Sequence, residues 1–232
     1  MYIMNFADKE QIRDWLINGR YKMAGAYPHR GCSIDAAVGC TLACPACRRQ
    51  WHKTRGLPPN ENGKNMCLFE IQALNNFYTC FQINGQISDP VMNPDLDVIL
   101  RCIRNRTSCN IHTAATPKWL GEDHYRKLFA ANTNIKWIFG IDGLPKDSHQ
   151  YRVGQDGEKL FNMMLIAKEM GLDTCWQYIV FKYNENDVEE ARELAHKHGL
   201  SLELTISSRW SDENDPLRPT LPEYRGKTWQ DI

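Results

Sequence analysis

The stretch Gly39-Cys40-Thr41-Leu42-Ala43-Cys44-Pro45-Ala46-Cys47 places three of the chain's nine cysteines within eight residues, spaced C-x3-C-x2-C. Thiolates this close in sequence can converge on one metal centre, and one short loop gathers them at little cost in chain entropy. Three is the informative count. A closed structural zinc site needs four ligands, whereas an iron–sulfur cluster held by three thiolates leaves one iron open to an exchangeable ligand. A zinc site would have to be completed by Cys32 or His52, since no second cysteine couple stands nearby in the sequence.

Outward from the loop, apolar patterning alternates between strands and helices. Cys32 to Val38 predicts a first strand running into the cysteines, and the polar stretch from Arg48 to Asn65, rich in Gly, Pro and Asn, predicts a long loop. Further strands are predicted at Cys80–Asn84, Cys109–Thr113, Ile135–Ile141, Thr174–Phe181 and Leu200–Ile206. Between them, stripes at helical spacing run along Leu68–Phe77, Leu96–Ile103, Tyr125–Asn132, Leu160–Met170 and Val188–Ala195. A short helix is expected near Ala7–Asn18. Six strands alternating with helices imply consecutive βαβ units and a parallel sheet, open or curled into part of a barrel. In either case the site belongs at the carboxyl ends of the strands, where the cysteines, Gly85–Pro90, Thr113 and Asp142-Gly143 all fall. The expected organisation is a lead-in over 1–31, a core over 32–207 and an irregular tail over 208–232.

Composition excludes several classes. The 28 basic and 28 acidic residues cancel, which gives no support to bulk nucleic-acid or membrane-surface binding. No apolar run approaches the roughly 20 residues that span a bilayer, and the N-terminus lacks the pattern of a secretory signal. An odd cysteine count then predicts reduced thiols and a cytoplasmic setting. The basic run Arg48, Arg49, His52, Lys53, Arg55 is expected to be a solvated face. The remaining cysteines, His112 and the methionines Met163, Met164 and Met170 are expected to fill the core.

The cysteine spacing after a first strand resembles the radical SAM superfamily, and three further motifs carry the same likeness. Phe81–Pro90 resembles the family's second-strand glycine-rich motif in a variant ending Asp-Pro. Ile141-Asp142-Gly143-Leu144 with Tyr151-Arg152 resembles its fourth-strand motif, and Trp176–Phe181 its fifth strand. The resemblance covers about Cys32 to Ser207 and implies an α/β fold, a partial (β/α)6 TIM-like barrel. It also implies a [4Fe-4S] cluster on Cys40, Cys44 and Cys47, whose open iron takes the amino and carboxylate groups of S-adenosylmethionine. Reductive cleavage of that molecule would give a 5′-deoxyadenosyl radical that abstracts hydrogen from a substrate the sequence does not name.

By the same resemblance, Gly85, Gln86, Ser88 and Asp89 meet the methionyl amino group, Asp142 the ribose and Arg152 the methionyl carboxylate. Ile179 and Val180 offer main chain to adenine, and a reductase such as flavodoxin or ferredoxin supplies the electron. Two departures stand out. Ala46 occupies a position that is often aromatic, and Asn84-Gly85-Gln86 replaces a Gly-Gly-Glu. No cysteine cluster follows Cys175, so the auxiliary-cluster domain of many peptide-modifying members is not expected. Two other readings stay open: a structural zinc module, and a cluster-bearing electron-transfer or sensor protein.

Overall fold

The computed structural model describes residues 31–56, 64–76, 78–85, 88–104, 107–208 and 210–226. The expected helix near Ala7–Asn18 lies outside them. Six strands, β1 (Gly31–Ile34), β2 (Cys80–Asn84), β3 (Ser108–Thr113), β4 (Lys136–Gly140), β5 (Thr174–Ile179) and β6 (Ser201–Thr205), form one sheet in sequence order. Every neighbouring pair is parallel, and β1 and β6 do not pair, so the barrel stays open. The connections carry helices α1 (Arg48–Thr54), α2 (Leu68–Leu74), α3 (Leu96–Cys102), α4 (Glu122–Ala131), α5 (Gly157–Glu169) and α6 (Val188–Lys197).

The strands are two-faced. Phe81, Ile83, Ile111, Trp137, Phe139, Trp176 and Tyr178 are fully buried. They pack in one core with Leu96, Ile99, Leu128, Phe129, Leu160, Met163 and Met164 from the helices. Phe129 and Trp137 pack in a T-shaped pair at 4.9 Å between centroids, locking α4 onto β4. Alternating with these residues are Gln82, Asn110, His112 and Gln177, which are only half-buried. A parallel sheet covered on both faces reads as a continuous apolar run. Here the alternation leaves the concave face polar.

Two sequence expectations are corrected. β1 ends at Ile34 rather than Val38. Beyond it the backbone turns to other partners: the Ala36 carbonyl accepts from Met66 N–H at 3.0 Å and the Asn93 amide at 2.7 Å, and Val38 N–H donates to Asn65 at 2.8 Å. Secondly, Arg48–Thr54 is a helix, not a loop. It buries none of its residues, so it carries no apolar stripe, and only the helix propensity of Arg, Gln and Lys marks it in the sequence.

The tail folds against the body. Trp210, 2% exposed, forms a T-shaped pair with Phe181 at 5.8 Å, and Phe181 stacks on Tyr151 at 4.1 Å. A buried carboxylate latches the next turn: Glu185 accepts from Thr220 N–H at 2.7 Å, the Thr220 hydroxyl at 2.5 Å and Leu221 N–H at 2.9 Å. Burial alone pushes the Glu185 carboxyl up, but these donors together with Lys182 outweigh it and hold it below the ordinary value. A depressed carboxyl stabilises the fold above its unfolded pKa, and that contribution is lost as pH falls through the folded value. Acidification should therefore release this turn early. Amide exchange of Thr220 and Leu221 is expected to accelerate below about pH 4 while β4 amides stay protected; equal acceleration of both would show that the latch is not separable from the core.

Candidate active site

A cavity of about 440 Å³ opens at the carboxyl ends of the strands, as the topology requires. Its walls bring together Cys40, Cys44 and Cys47 from the first loop, Gly85, Ser88 and Asp89 after β2, Arg152 after β4 and Ile179 at the end of β5. Gln86 lies outside the described residues. Asp142 and Val180 are fully buried and do not line the cavity.

The cysteine loop is pinned along its length. Gly39 takes φ +92°, a conformation that favours glycine, and its carbonyl accepts from Asp89 N–H at 3.0 Å. Ala43 N–H donates to Val153 O at 2.8 Å, and Cys47 N–H to Cys44 O at 3.0 Å, after which α1 begins. Arg49, on the first turn of α1, reaches back to donate to the carbonyls of Cys40, at 2.6 Å, and Leu42. Its guanidinium is therefore a clamp on the loop and not part of a solvated face. Burial first, and Asp89 second, push the Cys40 thiol up to about 12 against the opposing Leu42 N–H and Arg49. Burial also raises the Cys44 thiol, with Arg152 opposing it.

Among the described residues no three His, Cys, Asp or Glu side chains stand close enough to hold a single metal ion. The three cysteines line one wall of the cavity, and a four-iron cluster takes each thiolate on a separate iron. Cys32 cannot complete a zinc set from where it lies, because its side chain is buried in the main core under β1.

Within electrostatic reach of Cys44 stands an ion pair. Arg152 Nε donates to Asp142 Oδ2 at 2.6 Å, and Asp142 Oδ1 accepts from Ile179 N–H at 2.9 Å. Both carboxylate oxygens are thereby engaged, so Asp142 acts through Arg152 and β5 rather than on the cavity. Gly140 makes room for the guanidinium, since a Cβ there would stand 3.1 Å from Arg152 Nη2. Val180 N–H is likewise taken, by Thr205 O at 3.1 Å.

Asp89 is a hub of the cavity wall near Cys40. Its Oδ1 accepts from Val91 N–H at 3.2 Å and the Thr113 hydroxyl at 2.9 Å, and its Oδ2 from Ala114 and Ala115 N–H at 2.8 Å each. Four donors fill a carboxylate's acceptor sites. Gly85 lies directly against Ser88, and a Cβ there would stand 1.6 Å from the Ser88 carbonyl oxygen. Gly85→Ala should therefore force the two apart, lowering stability by about 3 kcal/mol; a urea midpoint equal to wild type would show that they can separate without cost.

The sequence missed several wall residues. Tyr151 and Phe181 line the cavity and, with Trp210, form a second apolar cluster against which Cys44 packs. His112 faces the cavity instead of filling the core. Ser207 and Ser208, at the start of the tail, complete the rim.

By sequence, no family model and no curated protein matches the chain. By structure, it is similar to Streptococcus suis SuiB bound to S-adenosylmethionine, with a TM-score of 0.62 and 14% identity over 83% of this chain and 44% of that one. It is similar to anSMEcpe with bound AdoMet at a TM-score of 0.61, with 13% identity over 82% of this chain and 57% of that one. Methylornithine synthase matches at a TM-score of 0.54, with 14% identity over 89% of this chain and 59% of that one. The chain has the radical SAM fold. It spans about half the length of these structures, and the fold is what the likeness shows. Within that radical SAM fold, the cavity occupies the open mouth of the partial barrel.

Proposed function

We propose that the chain is a radical SAM enzyme, with a [4Fe-4S] cluster on Cys40, Cys44 and Cys47 and S-adenosylmethionine in the cavity beside them. One observation carries the reading: the three thiols, the Arg152 guanidinium, Gly85 and Ser88 line one cavity at the carboxyl ends of the strands. The bound cluster would supply the electron that splits the sulfonium of S-adenosylmethionine, generating a 5′-deoxyadenosyl radical.

The chain's own residues then have defined work. Arg152, held at Nε by Asp142, keeps its remaining donors for a carboxylate, the group its planar fork matches best. The Gly85 and Ser88 main chain accepts from the methionyl amino group. Ile179 and the aromatic wall of Tyr151 and Phe181 exclude water from the adenosyl end, a role that Ala46 does not fill. In this reading residues 32–207 are the catalytic core, 208–232 are the tail that follows it, and a flavodoxin- or ferredoxin-type reductase delivers electrons in the cytoplasm.

Anaerobic reconstitution tests the proposal. The expected result is about four irons per chain and release of deoxyadenosine on reduction with S-adenosylmethionine. Zinc without iron would support the structural-module reading instead, and iron without cleavage an electron-transfer or sensor role.

A further inference from the structure

Helix α1 does not pack like the other helices. It follows Cys47 directly, with Trp51 N–H donating to the Cys47 carbonyl at 2.9 Å, yet it buries none of its residues. Its sides differ. Arg49 lines the cavity and clamps the cysteine loop. Arg48, Trp51, His52 and Arg55 follow at i, i+3, i+4 and i+7, the spacing of a single helical stripe. None of these four lines the cavity. Trp51 is 47% exposed, and the Arg55 guanidinium lies over its ring at 4.2 Å. Arg48, Lys53 and Arg55 are exposed as well, as are Thr41 and Pro45 of the cysteine loop itself.

The cations of this helix are uncompensated. Seven ion pairs form among the described residues, and none involves Arg48, Lys53 or Arg55. No acidic residue occurs in the sequence between Asp35 and Glu61. Each of the five other α-helices carries an acid in its first turn, where it meets the positive end of the helix dipole. Helix α1 has none there and opens instead on Arg48 and Arg49. The loop carbonyls offset Arg49, but no hydrogen bond or ion pair among the described residues offsets Arg48.

The whole chain has zero net charge, so this excess is local. Unpaired cations around an exposed tryptophan suit an acidic protein partner. Charge complementarity steers the encounter, and Trp and Arg are the residue types that dominate interface energy. Position says which partner. The stripe lies outside the cavity, so a substrate reaching the cysteines bypasses it, yet Arg55 at its far end is only roughly 12 Å along the helix from Cys47. We propose that this stripe is the docking face of the electron donor, a small acidic electron-transfer protein that sets its reduced group against the cysteine loop and gives up one electron there. This assignment rests on the proposed enzyme reading and gives its reducing step a place on the surface.

Titration calorimetry of the reconstituted full chain, with a flavodoxin and an acidic [2Fe–2S] ferredoxin as probes, reads docking without turnover. At least one is expected to bind, with an affinity that falls as salt is raised. Combined Arg48→Glu, Lys53→Glu and Arg55→Glu should weaken it at least about tenfold and flatten the salt dependence. The milder pair Arg48→Gln and Arg55→Gln should fall between. Trp51→Ala should weaken binding at least about fivefold with the salt dependence kept. Circular dichroism, iron content and deoxyadenosine release driven by dithionite should stay at the wild-type level in all three, because Arg49 is untouched. A wild-type chain without iron would count against the enzyme reading, whereas the docking result is read from binding alone. The inference is overturned if neither probe binds, if the charge-reversed chain binds like wild type, or if polyglutamate binds as tightly as the better probe, which would make the stripe a general polyanion site.

Discussion

Replacing Cys44 with alanine should abolish both iron retention and deoxyadenosine release, with residual cleavage below about one part in a thousand. Cys44 is the middle thiol of the loop, and of the three it is the one that packs on the aromatic cluster of Tyr151, Phe181 and Trp210. Losing one sulfur from that cluster costs only about 1 kcal/mol of packing, too little to unfold a domain stable by about 5–15 kcal/mol. The chain should stay folded while the site fails, because two thiolates cannot hold four irons against loss to solution. Circular dichroism and iron analysis on the same sample separate the effects. Cys32→Ser is the matched control: its sulfur is buried in the main core, so it should lose stability yet keep iron. Wild-type cleavage by the Cys44 variant would sink the cluster assignment, whatever the fold.

The contrast between those two cysteines shows what was legible in the sequence. The loop announces itself by spacing, and strands β2 to β6 by alternation, because both are local patterns. The boundaries fail where partners are distant. β1 stops at Ile34 because Asn65 and Asn93 capture its continuation, and neither is visible from residues 35–38. Helix α1 is held by its connection to Cys47 and by Arg49 reaching back to the loop, not by an apolar face, so periodicity had nothing to find. By resemblance the sequence assigned Asp142 to the ribose and Arg152 to the methionyl carboxylate, and gave no sign that the two pair. The burial of Asp142, and the Ile179 N–H that occupies its second oxygen, are properties of the sheet rather than of the motif. Tyr151, Phe181 and Trp210 are scattered over sixty residues of sequence and meet only because the tail returns across the end of β5.

Asp89 offers the sharpest test of how the site is held open. Its carboxylate is 4% exposed and accepts four hydrogen bonds, three of them from backbone N–H groups that have no water to turn to. Its own N–H holds the Gly39 carbonyl at the entrance to the cysteine loop. Alanine there should remove about 3–5 kcal/mol of stability, since orphaned buried donors lose their partners without regaining solvent. Asparagine, nearly the same shape, should do almost as badly. Whichever way the amide is turned, its NH₂ faces the Ala114 and Ala115 N–H groups or the Val91 N–H and Thr113 hydroxyl, setting donor against donor. Thr113→Val removes one donor and leaves the carboxylate three, so it should cost only about 1 kcal/mol. Urea midpoints of the three variants give the ordering directly. If Asp89→Asn lies within about 0.5 kcal/mol of wild type, the carboxylate is not what ties β2, β3 and the cysteine loop together. If the ordering holds, Asp89 is the post on which this part of the cavity wall is hung, tying the Gly39 carbonyl at the entrance to the cysteine loop to the end of β3.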